Sequence, residues 1–328
     1  MPKPRIQLDI GENYYDPADF VDACVYADEL GFDTGWLGDH FNPWYHSADR
    51  SAFVWSVLGV ALERTKKIKL GPFVTTPIGA RYHPALIAQA SATLDNMYPG
   101  RFLLGVGTGE ALNETPFWNG RWPSWEERIE RLSEGMTLIQ RLWTEREHFA
   151  FKGKYFGAPF YLLYTRPRRK IPVYFSAIGK RAAYYAGLHA DYLVTLSPRN
   201  NLEKIENDLL PEFRKGKKES GKRGRGGLVV SVGFSFQSPS EVMRTSWRSL
   251  GIMIKDSWST PNPISVEQNG KKVTVERVKQ NLHFCEDWAD LIKIIEDYVQ
   301  LGADQIVLNS GADKKVIKEY AKNVLTVF

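Results

Sequence analysis

The chain predicts a (β/α)8 TIM barrel, an α/β fold, on three observations. Short apolar runs alternate with longer amphipathic stretches from end to end. Eight such pairs can be traced, and 328 residues suit one closed barrel. Residues 6–10 read as the first strand and 17–30 as the helix behind it, closing at Gly31. The second pair covers 34–37 and 52–64. A third strand, 68–74, leads to a helix over 84–97 with Pro84 at its start, where a missing N–H costs nothing. Residues 101–106 form the fourth strand, and a helix over 125–143 follows a linking segment. Strands at 173–176 and 192–195 flank a helix over 180–187. Residues 228–236 are the seventh strand. The eighth, 305–308, lies between a helix over 288–301 and a last helix beginning at Lys314.

Two stretches interrupt this order. Residues 147–164 read as a β-hairpin, with Phe149-Ala150-Phe151 and Tyr155-Phe156 on either side of Lys152-Gly153-Lys154. Residues 256–281 contain Pro261-Asn262-Pro263, a polar Gln268-Asn269-Gly270 turn and little helical periodicity. They amount to insertions after strands 4 and 7. Such insertions usually cap the active face, so the second is expected to be a substrate lid. No boundary divides the chain, and one domain over 1–328 is expected.

At 43% hydrophobic and 25% charged residues, disordered and fibrous classes are excluded. Ten Trp, fifteen Tyr and seventeen Phe supply rings for a core and for an apolar pocket. The net charge of +5 is concentrated between Arg214 and Arg225, a run that reads as a solvated loop or frayed helix end. No nucleic-acid motif accompanies it, so no nucleic-acid partner is expected. The two cysteines, Cys24 and Cys285, have no metal or disulfide spacing. Met1-Pro2-Lys3-Pro4-Arg5 leads straight into a strand, and no apolar run is long enough to span a bilayer. A cytoplasmic protein without a membrane partner is expected.

Active groups of a barrel lie at the C-terminal ends of its strands. That rule selects Asp39, His40, Trp44 and His46 after strand two, and Thr75, Thr76 and Pro77 after strand three. It adds Gly107, Thr108, Gly109, Glu110 and Asn113 after strand four, and Ser176, Ala177 and Gly179 after strand five. His40 is a natural general base, since imidazole titrates near neutral pH, although a lone histidine is often a hydrogen-bonded core residue. Trp44 offers a stacking face and one N–H donor, or simply packs its loop. Glu110 either caps the next helix or, if desolvated, holds and delivers a proton. Gly105-x-Gly107-x-Gly109 lacks the spacing and the later acidic residue of a dinucleotide fingerprint. No Walker loop, nucleophile elbow or H-E-x-x-H is present, and no metal site is expected.

At these residues the chain resembles the luciferase-like superfamily, and within it the coenzyme F420-dependent dehydrogenases acting on glucose 6-phosphate or on secondary alcohols. The resemblance runs over nearly the whole chain. It is most specific at 39–46, at Arg81-Tyr82-His83-Pro84 with Gln89, at Met97-Tyr98-Pro99-Gly100-Arg101 and at 105–114. It implies a 5-deazaflavin across the barrel mouth, taking a hydride at carbon 5 from a C–H next to a hydroxyl. By the same resemblance His40 takes the hydroxyl proton, Trp44 steadies the oxygen and Glu110 manages the proton on the deazaflavin side. Asp39, Thr76, Thr108, Gly109 and Asn113 would hold the cofactor, with Ile178, Gly179, Arg181 and Ala182. Val74 matches a strand-three bulge, often with a non-prolyl cis peptide, that backs the ring. FMN with monooxygenase chemistry is the alternative within the superfamily.

Sugar-phosphate members grip phosphate with a threonine and a lysine after strand six and with basic residues of the late insertion. Here Leu196-Ser197-Pro198-Arg199 keeps one cation, and Val278-Lys279-Gln280-Asn281 looks more like the alcohol dehydrogenases. Leu196, Arg199 and Asn281 are therefore the expected substrate contacts, with Lys255, Lys271, Lys272 and Arg277 nearby. The lean is towards a small-molecule hydroxyl substrate other than glucose 6-phosphate, with a sugar phosphate still open. Close relatives are dimers, so a homodimer through helices two and three is expected.

Overall fold

Runs of buried Val, Ile and Leu at strand spacing, separated by amphipathic helices, fold into one parallel sheet wrapped by helices. The computed structural model describes residues 3–11, 15–221, 226–254 and 256–328. The first half runs β1 (Arg5–Asp9), α1 (Pro17–Glu29), β2 (Thr34–Leu37), α2 (Val54–Arg64), β3 (Lys69–Pro72), α3 (Pro84–Met97) and β4 (Leu104–Val106). It continues with α4 (Ala111–Glu114), α5 (Trp125–Thr144), β5 (Phe149–Lys152), β6 (Gly157–Tyr161) and β7 (Val173–Ser176). Then come α6 (Lys180–His189), β8 (Tyr192–Ser197), α7 (Leu202–Lys204), α8 (Leu210–Glu219), β9 (Gly227–Val232) and β10 (Phe234–Ser235). The chain closes with α9 (Pro239–Ser246), α10 (Pro263–Gly270), α11 (Val275–Lys279), β11 (His283–Phe284), α12 (Trp288–Leu301), β12 (Ala303–Asn309) and α13 (Lys314–Tyr320).

The sheet order is β3-β2-β1-β12-β9-β8-β7-β4, all parallel. Bridges Leu70–Phe102 and Thr75–Val106 join β3 to β4 and close the ring. Two glycines make that closure possible. A Cβ on Gly71 would stand 2.3 Å from the Leu103 carbonyl oxygen, and one on Gly105 would stand 2.2 Å from that of Pro72. Any side chain there would push the two strands apart. The barrel interior is filled by Trp36, Leu103, Tyr174, Val194, Val229 and Val307. Gln7 and Gln305 pair with each other within it, Trp36 donates to Gln7 at 2.8 Å and Tyr174 to Gln305 at 3.2 Å. The interior is therefore a packed plug, which confines ligand space to the strand ends.

The hairpin expected at 147–164 is present as antiparallel β5 and β6. Its turn is pinned by Glu134 of α5, whose carboxylate accepts from the backbone N–H of Lys154, Tyr155 and Phe156 at 2.8, 2.9 and 2.6 Å. The seventh strand is shorter than its apolar run suggests. It stops at Val232, and Phe234–Ser235 leaves the barrel to pair with β11. The second insertion therefore starts earlier than residue 256, and it is helical.

Pro261-Asn262-Pro263 is the start of α10, with Asn262 accepting from Ile264 N and Pro263 in the first turn. Thr274 caps α11 in the same way. Val242, Leu250, Val273 and Val278 give this insertion a small core of its own. The first half of the basic run is the end of a helix: Arg214 to Glu219 belong to α8 and Lys217 is buried, so this part is no solvated loop. Lys222, Arg223 and Arg225 of that run, like Lys255, lie outside the described residues. Among the described residues no helix is long and apolar enough to cross a membrane.

Candidate active site

The loops after β2, β3 and β4 converge at one point of the barrel mouth. His40 comes three residues after β2, and Glu110 four residues after β4 at the start of α4. Asn113, on the first turn of that helix, joins them. Its amide oxygen accepts from the backbone N–H of Phe41 (2.9 Å) and Asn42 (3.2 Å). Its amide nitrogen lies 3.1 Å from His40 Nδ1 and donates to Glu110 Oε2 at 2.9 Å. His40 Nε2 faces Glu110 Oε2 at 3.9 Å. The Trp44 ring packs on the imidazole with centroids 4.9 Å apart.

Burial decides the charge state of this pair. It lowers the pKa of His40 to about 3, with the Arg81 guanidinium pushing the same way and the Asn42 backbone opposing. It raises the pKa of Glu110 to about 8, helped by Glu114 and Asp39 and opposed by Asn113 and Arg81. Burial thus favours the uncharged form of both groups, imidazole on His40 and carboxyl on Glu110.

A second layer fixes these loops. Arg81 Nη2 binds Asp39 twice, at the carboxylate Oδ1 (2.9 Å) and at the backbone carbonyl (2.8 Å). The Tyr82 hydroxyl donates to Asp39 Oδ1 at 3.0 Å. Burial still wins over these partners and holds the Asp39 pKa above its ordinary value. Glu114 accepts from Thr76 Oγ1 (2.5 Å) and from Arg81 N (3.2 Å). The Phe73–Val74 peptide is cis, and Val74 packs beneath Gly105 and Gly107.

Arg81, Tyr82 and Glu114 were not among the expected site residues. Glu114 was legible as the i+4 neighbour of Glu110 on a helix. Arg81 and Tyr82 lay inside a stretch read only as resemblance.

The opposite wall comes from β8, α6 and the insertion. Trp258 packs edge-on against Trp44, centroids 5.2 Å apart, and Arg199 lies over the Trp258 ring at 5.7 Å. Among the described residues no carboxylate lies within ion-pair reach of Arg199. Burial lowers its pKa, and the neighbouring Arg277 adds repulsion. Glu267 of α10 ties the insertion to the Trp44 loop, accepting from Ser47 N (2.8 Å) and Ser47 Oγ (2.9 Å) and pairing with Arg248 (3.3 Å). Trp258 and Glu267 sit in the segment whose sequence carried least pattern.

The remaining expected residues fall in different places. Thr108 and Gly109 line the turn before Glu110, and Gly109 takes a φ of +75°. Ile178 and Gly179 form the loop leading into α6, held by Asn200, which donates to the Ile178 carbonyl at 3.2 Å. Ala182 is buried in that helix. Arg181 is exposed and turned to α5, pairing with Glu126 at 3.5 Å over the Trp125 ring. Asn281 donates to the Arg277 carbonyl at 2.8 Å and finishes α11. Leu196 is half-buried near the end of β8, and His46 is exposed on its loop. Among the described residues no cluster of three or more metal-ligating side chains occurs.

Two features suit a ligand that accepts hydrogen bonds or carries negative charge. Trp44 Nε1 is buried without a hydrogen-bond partner beside His40. Gly179, at the N-terminus of the ten-residue α6, opens onto free space, since a Cβ there would meet nothing within 4 Å.

Comparison with known proteins agrees with this geometry. The luciferase-like monooxygenase family profile matches residues 3–305. The F420-dependent glucose-6-phosphate dehydrogenase of Intrasporangium calvum is 34% identical over 319 residues, covering 95% of each chain. That of Nakamurella multipartita is 32% identical over 330 residues, covering 99% of this chain and 96% of the relative. A structure of an F420-dependent secondary alcohol dehydrogenase, in complex with an F420-acetone adduct, superimposes over the full length of both chains with a TM-score of 0.89 at 32% identity. A coenzyme F420-dependent tetrahydromethanopterin reductase from Methanopyrus kandleri shares the fold, with a TM-score of 0.76 at 20% identity. On its profile match, its near-complete relatives and its closed barrel, the chain belongs to the luciferase-like family.

Proposed function

We propose that this protein is a coenzyme F420-dependent dehydrogenase that oxidises the CH–OH group of an alcohol or sugar. The buried, unpartnered Trp44 Nε1 beside the His40–Glu110 pair carries this reading. A buried N–H donor without a partner is costly, and a substrate oxygen at that point would satisfy it. The residues present fit the cofactor. The loops carrying Asp39, Thr76, Thr108, Gly109 and Asn113 and the cis Phe73–Val74 peptide would border its ring. Ile178, Gly179 and the N-terminus of α6, with Ala182, would hold its phosphate. When bound, the deazaflavin supplies a two-electron hydride acceptor that does little oxygen chemistry.

The chain's own residues do the rest. His40 takes the hydroxyl proton, Trp44 steadies the substrate oxygen, and Glu110 manages the proton on the deazaflavin side. Trp258 and the insertion cover the mouth and exclude water. Arg199 and Arg277 favour a hydroxyl substrate that carries an anion, such as a sugar phosphate, because a half-buried guanidinium without a carboxylate is matched by phosphate. The reading extends to one barrel domain over 1–328 with two inserted segments, and to a cytoplasmic homodimer. The dimer would use the face where Phe53, Val60, Leu86 and Met97 are exposed.

Mixing the purified protein with oxidised F420 and a panel of secondary alcohols, sugars and sugar phosphates tests the proposal. Bleaching of the deazaflavin absorbance with at least one hydroxyl compound is expected. No bleaching with any of them, and a yellow protein that consumes oxygen with reduced FMN, would favour the monooxygenase alternative.

A further inference from the structure

Strand alternation decides which residues look into the barrel. Ile6 and Leu8 of β1, with Ile306 and Leu308 of β12, join the outer core beneath the helices, so Asp9 and Asn309 point inward. The same count turns Ser176 of β7, Leu196 of β8 and Ser231 of β9 inward. Each is the last inward position of its strand, above the closed plug of Tyr174, Val194, Val229 and Val307. Asp9, Ser176, Leu196 and Ser231 are half-buried and Asn309 is exposed. Together they form the floor of the barrel mouth.

Asp9 and Asn309 are register partners on adjacent strands, and Asn309 Nδ2 donates to Asp9 Oδ2 at 3.1 Å. The backbone N–H of Gly11 donates to Asp9 Oδ1, also at 3.1 Å. A carboxylate offers about four lone-pair sites, so each oxygen keeps one for a further donor. Among the described residues no basic side chain pairs with Asp9. Burial pushes its pKa up to about 6 against these two hydrogen bonds, so its surroundings leave the carboxylate short of donors.

We propose that Asp9 and Asn309 form a subsite for adjacent hydroxyl groups of the substrate, which makes the protein prefer a polyhydroxylated substrate to a monohydric alcohol. This rests on the dehydrogenase reading above and narrows its substrate. The loops that would border the cofactor follow β2, β3, β4 and β7, and the sheet order leaves the arc β1-β12-β9 to the substrate. Hydroxyls on neighbouring carbons can each donate to one oxygen of the Asp9 carboxylate, and the Asn309 amide oxygen can accept from a third. A monohydric alcohol, with its one hydroxyl at His40, has nothing to offer there. Arg199, just past β8, is two strands away from Asn309, roughly 10 Å at the spacing of paired strands. An anionic end of the substrate at Arg199 and a hydroxylated end at Asp9 therefore do not compete for one place.

Initial rates with F420 and propan-2-ol, sorbitol, glucose or glucose 6-phosphate, in the wild type and in Asp9→Asn, test the subsite. The variant keeps the side chain's shape and removes its charge and one acceptor oxygen. KM for the polyhydroxylated substrate should rise about 10- to 100-fold, far more than for propan-2-ol, with kcat changed less. Asn309→Ala should give a smaller rise of the same pattern. An equal rise for propan-2-ol, or a wild type that prefers propan-2-ol, would overturn the inference. Carbon-13 spectra of F420-loaded protein labelled at aspartate carboxyls, with the Asp9 signal identified by its loss in Asp9→Asn, read the contact without turnover. Sorbitol, glucose or glucose 6-phosphate should move that signal and propan-2-ol should not. A signal that none of the three moves would also overturn it. Failure of the dehydrogenase reading shows instead as an unbleached deazaflavin while the Asp9 signal still moves.

Discussion

The two walls of the barrel mouth differ in how their charged groups are paired. On the wall built by the loops after β2, β3 and β4, Arg81 is tied to Asp39, Glu114 to Thr76, and Asn113 to both His40 and Glu110. On the wall built by the end of β8 and the insertion, Arg199 meets an indole ring and feels a second guanidinium. Matched groups hold reacting atoms within the few tenths of an ångström that proton transfer requires. An unmatched, half-buried cation does the opposite: it stays expensive until an anion arrives. On the proposed function, chemistry and substrate choice lie on separate walls and should fail separately.

The sharpest break between the walls is His40→Ala. It removes the imidazole between Trp44 and Glu110 but leaves Asp39, Arg81 and the α6 N-terminus in place. Turnover should fall by about 10²–10⁴-fold while F420 binding, followed by fluorescence quenching, changes little. Retention of full turnover would remove His40 from the chemistry.

Next in size is Arg199→Ala on the other wall. If the cation reads an anionic substrate, KM for a phosphorylated substrate should rise about 10- to 100-fold, the equivalent of losing one charge-assisted hydrogen bond. kcat, and all constants for a neutral secondary alcohol, should hold. Equal losses on charged and neutral substrates would mean that Arg199 merely supports Trp258.

How far these walls were readable in the sequence follows from the same difference. Asp39, His40, Trp44 and Glu110 stand directly after apolar runs, so strand periodicity alone put them at the mouth. The barrel and both insertions were legible for that reason. The insertion's helices were not. Pro261-Asn262-Pro263 has the composition of a turn, and only the contact from Ile264 N to Asn262 shows it to be a helix cap. Trp258 and Glu267 act through tertiary contacts, with Trp44 and Ser47, that leave no local pattern. The helices over 202–219 were likewise hidden beneath a charge run whose buried member, Lys217, is indistinguishable in sequence from its exposed neighbours. Asn113 was visible, but its contacts with the backbone of Phe41 and Asn42 come from another loop and leave no local pattern.

The matched wall also predicts how stability depends on pH. Glu110 has a folded pKa raised from 4.5 to about 8, so the folded state binds its proton more tightly than the unfolded chain does. Its contribution is complete below about 4.5 and is lost as pH rises to about 8. His40, lowered from 6.5 to about 3, has the opposite sign: stability from this group grows as pH rises from 3 to 6.5. The two slopes oppose each other between 4.5 and 6.5, so this pair contributes a net decline only from 6.5 to 8. Urea denaturation across this range should show that decline in the wild type and its loss in Glu110→Gln. A decline unchanged in the variant would place its origin elsewhere.

The smallest effect is expected where the walls touch. Glu267 accepts two hydrogen bonds from Ser47, three residues beyond Trp44, and so fastens the insertion to the loop that carries His40. Burial is outweighed by hydrogen bonds from the Ser47 N–H and hydroxyl and by the Arg248 and His46 charges, which hold the Glu267 carboxylate below its usual pKa, so the tie persists through mildly acidic pH. Ser47→Ala deletes the hydroxyl contact and spares the backbone one, a loss of about 1 kcal/mol at a partly exposed site. If the insertion works as a cover, the cost should appear as roughly twofold to fivefold weaker substrate KM with kcat nearly unchanged. It should also appear as faster hydrogen exchange over α10, while the barrel strands keep their protection. Uniform loss of protection across β2 and β3 would instead make Ser47 a support of the barrel, and the two walls would no longer be separable.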